Sequence, residues 1–510
     1  MNSSAHFPAL PRLTVTADSA QAAKAAHTLY LLPAGKFLPD ALPDLEFWQK
    51  VLKRKAVKPA ELVKTPLVAD LPQGGRAALV MIDPVAQRFE QLTALRKALA
   101  PLLEESPETL ALLPLEVSAA AVQDAVYVAL VNGVPLPAQK KKPAKALKEL
   151  LVAARRVTSP AGIPFGHADF SSAQALARAN LLARELTALP PNQLDPADYR
   201  QRLRRLAKSN GWGIEEFDFR QLRKMGAGAF CAVAQGSDAN GKGDEGGGAA
   251  IVRLSWRPKK QVHGVKPLAL VGKGICYDTG GHNLKPAKYM AGMHEDMNGS
   301  AVALAILAAA AELELPVAID CWLAIAKNHI SPAAYAQGDI VRALNGTTIE
   351  VIHTDAEGRM VLADTLALAV KQKPQLLIDF ATLTGSMHTA LGQRYSGVFA
   401  SDASLAAKAV AAGSASGERV CVFPRDADYE AALDSKVADI KQCTLEGDAD
   451  HILAARFLGR FVGKTPWLHV DLSAASCSGG LGAVGSDLTG FGVAWAIALL
   501  KDWTGDVALQ

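Results

Sequence analysis

Seven charged residues in the second half of the chain have types and spacings that could assemble a metal centre. They are Lys273, Asp278, Lys285, Asp296, Asp355, Glu357 and Arg359. An acidic cluster beside an apolar sheet is costly unless counter-charge accompanies it. Two lysines and one arginine offset four carboxylates only in part, so divalent cations would complete the neutralisation. The set therefore favours a metal site over isolated ion pairs.

The ligand types indicate which metals would bind there. No C-x-x-C pair and no H-E-x-x-H motif lies nearby, and the acids offer hard oxygen donors, so Mg²⁺, Mn²⁺ or Zn²⁺ is expected. Asp355 and Glu357 stand two residues apart, and in an extended segment both would point to the same side. Two ions about 3.5–4 Å apart would hold a water molecule and lower its pKa.

Each of these residues has a simpler structural explanation when it is taken alone. Asp296 could cap the helix that follows it, and Lys273 with Asp278 could form a surface ion pair. A nucleotide site is disfavoured, because the glycine-rich segment Gly272–Pro286 contains neither G-x-x-x-x-G-K-[ST] nor G-x-G-x-x-G. The metal site is favoured because the charged residues follow strand-like segments or precede helix-like ones.

The elements that must position these residues are an alternation of strands and helices. The pattern predicts strands at Ala249–Trp256, Pro267–Val271, Val317–Ile325, Thr348–Ile352 and Leu376–Phe380, and helices at Ser172–Leu189, Ser300–Leu313 and Met360–Lys371. Such an alternation predicts a mostly parallel central sheet covered by helices on both faces. Sites in these sheets form at the carboxyl ends of the strands, where the charged residues stand.

The first 165 residues predict a separate, non-catalytic α/β domain, followed by a larger catalytic α/β domain at 166–510. In the first domain we expect strands at Ala77–Ile82 and Ala125–Val131 and helices at Glu90–Ala100, stopped by Pro101, and at Leu147–Val157. The basic run Pro137–Lys145 is short and flanked by Pro and Ala, which favours a solvated loop. Residues Asp238–Gly248 are rich in Gly and Asp and predict an exposed loop.

Composition narrows the class of protein. The 510 residues carry a formal net charge of +4 and are half hydrophobic, which gives no electrostatic case for nucleic-acid or membrane partners. The scattered cysteines suggest neither a disulfide framework nor a thiolate zinc site, and most are expected to be buried. The N-terminus lacks the pattern of a signal peptide, and the apolar run Ala301–Ala311 is too short to cross a bilayer. We expect a soluble, cytoplasmic protein.

The motifs around the charged residues closely resemble the leucyl aminopeptidase (cytosol aminopeptidase) family of two-metal exopeptidases. They are V-G-K-G-x-x-x-D-x-G-G-x-x-x-K-P from Val271, D-M-x-G-S-A from Asp296, T-D-A-E-G-R from Thr354 and A-T-L-T-G from Ala381. The intervals of 5, 7, 11, 59, 2 and 2 residues between the seven charged positions fit the family without a gap. The likeness covers roughly Phe170 to the C-terminus.

The resemblance implies a role for each matching residue. Its metal ligands would be Lys273, Asp278, Asp296, Asp355 and Glu357, which would hold two ions, Mn²⁺ or Zn²⁺, with Mg²⁺ or Co²⁺ able to substitute. Lys285 would stabilise the oxyanion formed when a metal-activated water attacks the peptide bond, and Arg359 would hold a bicarbonate as general base. Met293, Thr382 and Leu383 would contact substrate. The resemblance also implies peptide substrates with a leucine-like N-terminal residue, and a homohexamer.

Several positions depart from the family pattern. His353 replaces a common Asn, Met360 replaces a common Leu, Lys327–Asp339 lacks the more usual E-N-M-P-G-G pattern, and Cys443–Leu458 lacks the usual Gly-rich run. A hydrogen-bonded structural role is favoured for His353, and His282 and His294 match no family ligand. These departures flank the expected ligands and bear on substrate preference and oligomer contacts.

Three other functions compete with the aminopeptidase. Some family members also bind DNA in regulatory roles, but the near-neutral charge gives this little support. An inert structural homologue is disfavoured because the ligand set is complete. Another two-metal hydrolase, such as a phosphoesterase, would share the acids but fits the lysine ligand poorly.

Overall fold

The structure is a computed structural model that describes residues 7–16, 22, 25–72, 74–153, 166–237, 247–259 and 266–508. Its strands are β1 (Arg12–Thr16), β2 (His27–Pro33), β3 (Leu67–Asp70), β4 (Arg76–Ile82), β5 (Thr109–Pro114), β6 (Glu149–Ala153), β7 (Gly213–Asp218), β8 (Ala250–Trp256), β9 (Leu268–Asp278), β10 (Ile319–Asn328), β11 (Ile340–Arg342), β12 (Thr348–Glu350), β13 (Leu377–Ala381), β14 (Ser396–Ala400), β15 (Val420–Val422), β16 (Ile440–Lys441) and β17 (Trp467–Asp471).

The α-helices are α1 (Leu45–Lys55), α2 (Arg88–Leu103), α3 (Ala119–Asn132), α4 (Ser171–Ala188), α5 (Pro196–Asn210), α6 (Phe219–Met225), α7 (Gly228–Ala234), α8 (Ala287–Met290), α9 (Asn298–Glu312), α10 (Glu357–Lys371), α11 (Gly385–Leu391), α12 (Ala403–Ser416), α13 (Asp450–Val462) and α14 (Val493–Ala508). Short 3-10 helices lie at Pro59–Val63, His167–Phe170, Gln235–Ser237, Met293–Met297 and Ala427–Leu433.

The larger sheet has, within the described residues, eight strands in the order β15-β14-β17-β13-β9-β10-β8-β7. Its four central strands, β17, β13, β9 and β10, are all parallel to one another. The central strands are buried on both faces and are therefore almost continuously apolar, as in Ile319–Ala326 of β10, where Asp320 is the one charged residue. Their carboxyl ends meet at one edge, where the acidic and basic side chains of the site emerge.

Helices cover both faces of this sheet. One apolar core forms beneath α4, α9 and α14, and the other beneath α7, α10 and α13. Helix α9 is buried from Asn298 to Ala310 and is apolar around most of its circumference, as expected of a core helix. It packs very closely on the sheet, since a Cβ added at Gly299 would lie 2.2 Å from the Phe380 carbonyl oxygen. This packing fixes the short 3-10 helix that precedes α9 against the strand ends.

The smaller sheet is built from the first part of the chain. In the described residues it has six strands in the order β1-β6-β5-β2-β4-β3, parallel except for β3 at one edge. Apolar side chains fill both of its faces. The predicted fold class, two α/β units with mostly parallel sheets, is confirmed. The predicted domain boundary at residue 165 borders a segment outside the described residues and stays a prediction.

Two predicted elements of the first domain are wrong in type. The predicted strand Ala125–Val131 is the second half of helix α3, which begins at Ala119, six residues before that apolar run. Ser118 caps the helix, and its Oγ accepts a hydrogen bond from the Ala121 amide. The predicted helix Leu147–Val157 is strand β6, paired between β1 and β5 as far as Ala153, beyond which the chain lies outside the described residues. In both segments the described apolar stretches, Ala125–Val131 and Leu150–Ala153, are buried, so no hydrophobic period distinguishes a helix from a strand.

The strand predicted at Thr348–Ile352 is shorter than predicted and does not belong to the large central sheet. As β12 it ends at Glu350 and belongs to a separate sheet, which in the described residues has the order β11-β12-β16. Glu357 is the first residue of α10, so the expected extended geometry for Asp355 and Glu357 is also wrong. The turn between the two elements, not a strand, brings these carboxylates together. Helix α2 likewise continues through Pro101 to Leu103.

Most of the other predicted strands and helices are present. The strands expected at Ala77–Ile82, Ala249–Trp256, Val317–Ile325 and Leu376–Phe380 and the helices expected at Glu90–Ala100, Ser172–Leu189, Ser300–Leu313 and Met360–Lys371 are present within a few residues of these bounds. The strand expected at Pro267–Val271 is also present but continues to Asp278. The basic run Pro137–Lys145 is an exposed loop, as predicted. Most of the predicted loop Asp238–Gly248 falls outside the described residues.

All cysteines are free, and each is buried except the half-buried Cys421. Among the described residues, no helix combines the length and apolar character needed to span a membrane.

Candidate metal and catalytic centre

Strand β9 carries the lysine at the centre of the site. Lys273 is buried, and its Nζ lies 2.8 Å from Asp296 Oδ2 and 2.8 Å from Glu357 Oε1. The same Nζ donates a hydrogen bond to the Thr382 carbonyl oxygen at 3.0 Å. One lysine thus joins three segments that are far apart in sequence: the 3-10 helix before α9, the start of α10 and the end of β13.

Helix α10 begins against this lysine because residue 358 has no side chain. A Cβ added at Gly358 would lie 2.7 Å from Lys273 Nζ and 2.8 Å from Leu383 Cδ1. Glycine therefore allows the helix N-terminus to approach the lysine, and it places Glu357 in the cluster. The helix N-terminus also favours a carboxylate at that position through its backbone dipoles.

The end of β9 carries a second lysine–carboxylate group. Asp278 Oδ1 accepts hydrogen bonds from the Gly280 amide and from Asn328 Nδ2, both at 2.8 Å. Its Oδ2 lies 3.0 Å from Lys285 Nζ, and the same Nζ lies 2.5 Å from Asp355 Oδ1. Lys285 therefore sits between two carboxylates that approach from β9 and from the loop before α10.

Burial and mutual repulsion shift the protonation equilibria of these acids. Burial, together with the charge of Glu357, raises the pKa of Asp278, Asp296 and Asp355 above the ordinary values. Burial would also raise the pKa of Glu357, but Lys273 and Lys285 hold it below the ordinary value. Burial alone would lower the pKa of each lysine, but the surrounding carboxylates raise it instead. The cluster is therefore short of positive charge.

The donor set fits divalent cations. Ligand oxygens of Asp278, Asp355 and Glu357 all lie within 4.8 Å of one another, and Asp296 joins Glu357 on Lys273. Glu357 Oε2 is buried and accepts no hydrogen bond from any described residue, although such a carboxylate oxygen is costly to leave without a partner. Carboxylate oxygens are hard donors of the kind that Mg²⁺, Mn²⁺ and Zn²⁺ accept as ligands.

Arg359 has a partner that the sequence did not indicate. Its Nη2 donates to both carboxylate oxygens of Asp450, each at 2.8 Å, and its Nη1 donates to the Gln442 carbonyl oxygen at 3.0 Å. The guanidinium is buried, and Asp450 lies in the segment that lacks the family's Gly-rich run. A bicarbonate ion does not fit this arrangement, because the Asp450 carboxylate already takes Nη2 of Arg359 and the Gln442 carbonyl oxygen takes Nη1.

The cluster opens into a cavity of about 990 Å³. Its walls include all seven charged residues, the predicted substrate contacts Met293, Thr382 and Leu383, and also Asp450, His353, Tyr289 and Leu445. The structure thus brings together every site residue named from sequence. Thr382 also donates from Oγ1 to Asp296 Oδ1 at 2.8 Å, which orients that carboxylate. His282 and His294 do not line the cavity walls.

Several residues that support the site were missed from sequence. Asp471, at the end of β17, accepts from the Leu383 amide at 3.0 Å and from Thr384 Oγ1 at 2.6 Å, and so holds the loop after β13. Gln442 Oε1 accepts from the backbone amides of residues 352 and 353. Asp471 could have been found by the strand-end rule that led to Asp278. His353 Nδ1 accepts from the Asp355 amide at 3.2 Å, a local hydrogen bond of the structural kind that was favoured.

The sequence and structural comparisons bear on the same region. A model of the cytosol aminopeptidase family, catalytic domain, matches residues 181–497. The chain belongs to the cytosol aminopeptidase family. The resemblance seen in the motifs is thereby confirmed, and the match includes each of the seven charged residues of the site.

Curated relatives in this family share about two fifths of the residues over the matched region. A probable cytosol aminopeptidase of Stutzerimonas stutzeri is 41% identical over 310 residues, which cover 60% of this chain and 60% of that one. Another, of Roseiflexus castenholzii, is 38% identical over 332 residues, or 65% and 66% of the two chains. The matches thus span less than two thirds of these relatives' own lengths.

Solved structures extend the likeness over almost the whole chain. The bottromycin maturation enzyme BotP in complex with Mn matches with a TM-score of 0.79 and 28% identity, over 94% of this chain and 100% of that chain. A tomato leucine aminopeptidase mutant matches with a TM-score of 0.82 over 98% and 97% of the two chains, and at 24% identity it shows the shared fold alone. The fold of this family member therefore includes the first domain, which lies outside the region matched by the family model.

Proposed function

We propose that this chain is a metal-dependent aminopeptidase that uses two divalent ions to release N-terminal amino acids from peptides. The observation that carries the proposal is the buried cluster of four carboxylates and two lysines at the floor of one open cavity. Such a cluster has too little positive charge to be explained as ion pairs alone. Membership of the cytosol aminopeptidase family supports the same conclusion.

Two overlapping sets of ligands would hold the ions. Lys273, Asp278, Asp296 and Glu357 would hold one, and Asp278, Asp355 and Glu357 the other. When bound, the ions supply a water of lowered pKa and polarise the scissile carbonyl. Mn²⁺ or Zn²⁺ is the proposed occupant, with Mg²⁺ or Co²⁺ able to substitute at one position.

The remaining residues would orient the peptide and stabilise the charge that develops on it. Lys285 is half-buried in the cavity wall, where its ammonium can donate to the developing oxyanion. The Asp296 carboxylate can pair with the free amine of the substrate, a contact that an internal peptide bond cannot offer. Met293, Thr382 and Leu383 would receive the first side chain, and we propose a leucine-like preference from the apolar pair among them. A homohexamer in the cytoplasm is proposed by resemblance to the family.

A metal-restoration assay tests this function. The purified protein is stripped with chelator and assayed on leucine, alanine and arginine anilides, before and after Mn²⁺ or Zn²⁺ is restored. We expect hydrolysis only with metal, fastest on the leucine substrate, and none on N-acetyl-leucine anilide, because its amine is blocked. The Asp278→Asn variant should be inactive, whereas Glu446→Gln, an exposed acid outside the cavity, should behave as the unmodified protein. Activity that is unchanged after stripping, or hydrolysis of the blocked substrate, would contradict the proposal.

A further inference from the structure

The partner of Arg359 occupies the place at which the family resemblance implies a bicarbonate. Both terminal nitrogens of the guanidinium are engaged, Nη2 by the two oxygens of Asp450 and Nη1 by the Gln442 carbonyl. Its Nε is buried and has no acceptor among the described residues. The guanidinium therefore presents no free pair of donors with which a planar anion could form the usual bidentate contact.

Asp450 is placed to act in the cavity itself. It is the first residue of α13, it follows Ala449 in a left-handed conformation (φ 52°), and its side chain lines the cavity with Lys285, Glu357 and His353. The Arg359 side chain is 3% exposed, whereas that of Asp450 is 21% exposed. Because a carboxylate has about four acceptor positions and Arg359 uses two, Asp450 retains lone pairs that can face the cavity.

Five of the six other acids that line the cavity are already committed. Asp278, Asp296, Asp355 and Glu357 are the proposed metal ligands, and both oxygens of Asp471 accept hydrogen bonds from the loop after β13. The sixth acid, Glu295, is not the partner of Arg359. Asp450 is therefore the acid that combines a position fixed by the arginine with an accessible oxygen outside the ligand cluster.

We propose that Asp450 is the general base of this enzyme, a carboxylate built into the chain where a bicarbonate would otherwise be recruited. The inference rests on the proposed aminopeptidase function. As the water oxygen forms its bond to the carbonyl carbon, one water proton passes to an Asp450 carboxylate oxygen. When the carbon–nitrogen bond breaks, the same proton passes to the leaving amine, and Asp450 returns to the carboxylate. Arg359 is a positioning residue that holds the base.

Two variants of Asp450 distinguish its role in proton transfer from its role in filling the anion position on Arg359. Asn in Asp450→Asn keeps the size of the side chain and one oxygen acceptor for Arg359, but it cannot take the proton. We expect its kcat on leucine anilide to fall about 10²–10⁴-fold, the usual contribution of a positioned general base, with KM changed by less than about threefold. Added bicarbonate should not restore it, because the amide still fills the place. A kcat close to that of the unmodified protein would overturn the proposal.

The Asp450→Ala variant removes the carboxylate from Arg359 and leaves room for an anion to bind the guanidinium. In CO₂-free buffer its kcat should fall as far as that of the Asn variant. Added bicarbonate should then raise this kcat at least tenfold and with saturation. Bicarbonate should not change the kcat of the unmodified protein. Asp448→Ala removes an exposed acid of the same segment and should match the unmodified protein. Activation of the unmodified protein by bicarbonate, or an Ala variant that is active without it, would overturn the proposal.

Binding of bicarbonate, measured by titration calorimetry on metal-free protein, needs no activity. We expect saturable heat with Asp450→Ala and none with the unmodified protein or Asp450→Asn, and the reverse pattern would overturn the proposal. Should the Ala variant unfold because Arg359 is left without its partner, Asp450→Ser, checked by circular dichroism, takes its place. If the unmodified protein hydrolyses no peptide, the proposed function fails, and the calorimetry still decides whether Asp450 occupies the anion position.

Discussion

The ammonium of Lys285 lies 2.5 Å from Asp355 Oδ1 and reaches the second carboxylate, Asp278 Oδ2, at 3.0 Å. The two acids come from segments 77 positions apart in the chain, so the lysine holds the end of β9 and the loop before α10 together. Its position also places a positive charge beside the proposed metal ligands without making it one of them. It can therefore turn to a substrate oxygen when cations neutralise Asp278 and Asp355.

Replacement of this lysine should affect catalysis more than folding. Lys285→Met keeps the length of the aliphatic chain and removes the charge. We expect kcat for leucine anilide to fall about 10²–10³-fold, the usual effect of removing one donor from a developing oxyanion, as measured by steady-state kinetics with saturating Mn²⁺. Lys288→Met, which removes an exposed lysine three residues away, is the control. A Lys285→Met enzyme with unchanged kcat would show that the ammonium plays no part in the reaction.

Most of the larger domain could be predicted from the sequence because its pattern is long and regular. The apolar strands around Val271 and Phe380 and the apolar helix after Asp296 have no competing interpretation, and the rule that sites form at strand ends pointed to Asp278 directly. Residue types alone predicted a cation site, since four acids with three bases near an apolar sheet need cations, whereas the individual ligands were named from the family resemblance.

The errors have a common physical origin. Ala125–Val131 and Leu150–Ala153, the apolar part of the second segment, are short runs without a period. Pairing with β1 and β5 makes the second run a strand, whereas the first run lies in helix α3. Long-range contacts of this kind cannot be seen in a local pattern. The same holds for Thr348–Ile352, whose pairing with β16 depends on a segment about 90 residues later.

The partner of Arg359 illustrates how a site can differ while its motif is intact. The T-D-A-E-G-R segment predicted an arginine whose partner is an exogenous anion, whereas the structure supplies Asp450 from 91 positions away. The signal was present as a departure from the Gly-rich run at Cys443–Leu458. Without the fold, nothing indicated that the departure faced the guanidinium.

Gly358 should be intolerant of even one methyl group. In Gly358→Ala the new Cβ would meet Lys273 Nζ at 2.7 Å and Leu383 Cδ1 at 2.8 Å, so the lysine or the start of α10 must move. We expect Mn²⁺ affinity to fall at least tenfold in calorimetric titration, and leucine anilide hydrolysis to fall with it, because approximately 1 Å of displacement at a catalytic group is costly.

A glycine elsewhere provides the comparison. In Gly35→Ala the added Cβ would meet nothing nearer than the Phe37 carbonyl oxygen at 3.6 Å, an ordinary contact. This variant should bind Mn²⁺ as the unmodified protein does. Equal affinities for both variants would mean that Lys273 does not depend on the close approach of α10.

Asp364 links the stability of the catalytic domain to pH. It is buried in α10, where its Oδ1 accepts from the Leu344 amide at 2.7 Å and its Oδ2 accepts from the Phe230 amide at 2.8 Å, within the first turn of α7. Burial raises its pKa from 3.8 to about 6, although these hydrogen bonds oppose the shift. It lies seven residues beyond Glu357 and outside the cavity.

The raised pKa of Asp364 makes the folded protein less stable as the pH rises from 4 to 6. Between pH 4 and 6 the folded protein keeps a proton on Asp364 that the unfolded chain has released, so the free energy of unfolding falls as pH rises through this window and is then constant. The shift corresponds to at most about 3 kcal/mol.

The side chain of Asp364→Asn cannot titrate, and its NH₂ group would face one of the two backbone amide donors. The variant should therefore be less stable than the unmodified protein at every pH. Its deficit, measured by chemical denaturation of metal-free protein, should shrink between pH 4 and 6 and stay constant from pH 6 to 8. A deficit for Asp364→Asn that stays constant from pH 4 to 8 would mean that its carboxyl titrates at an ordinary pKa.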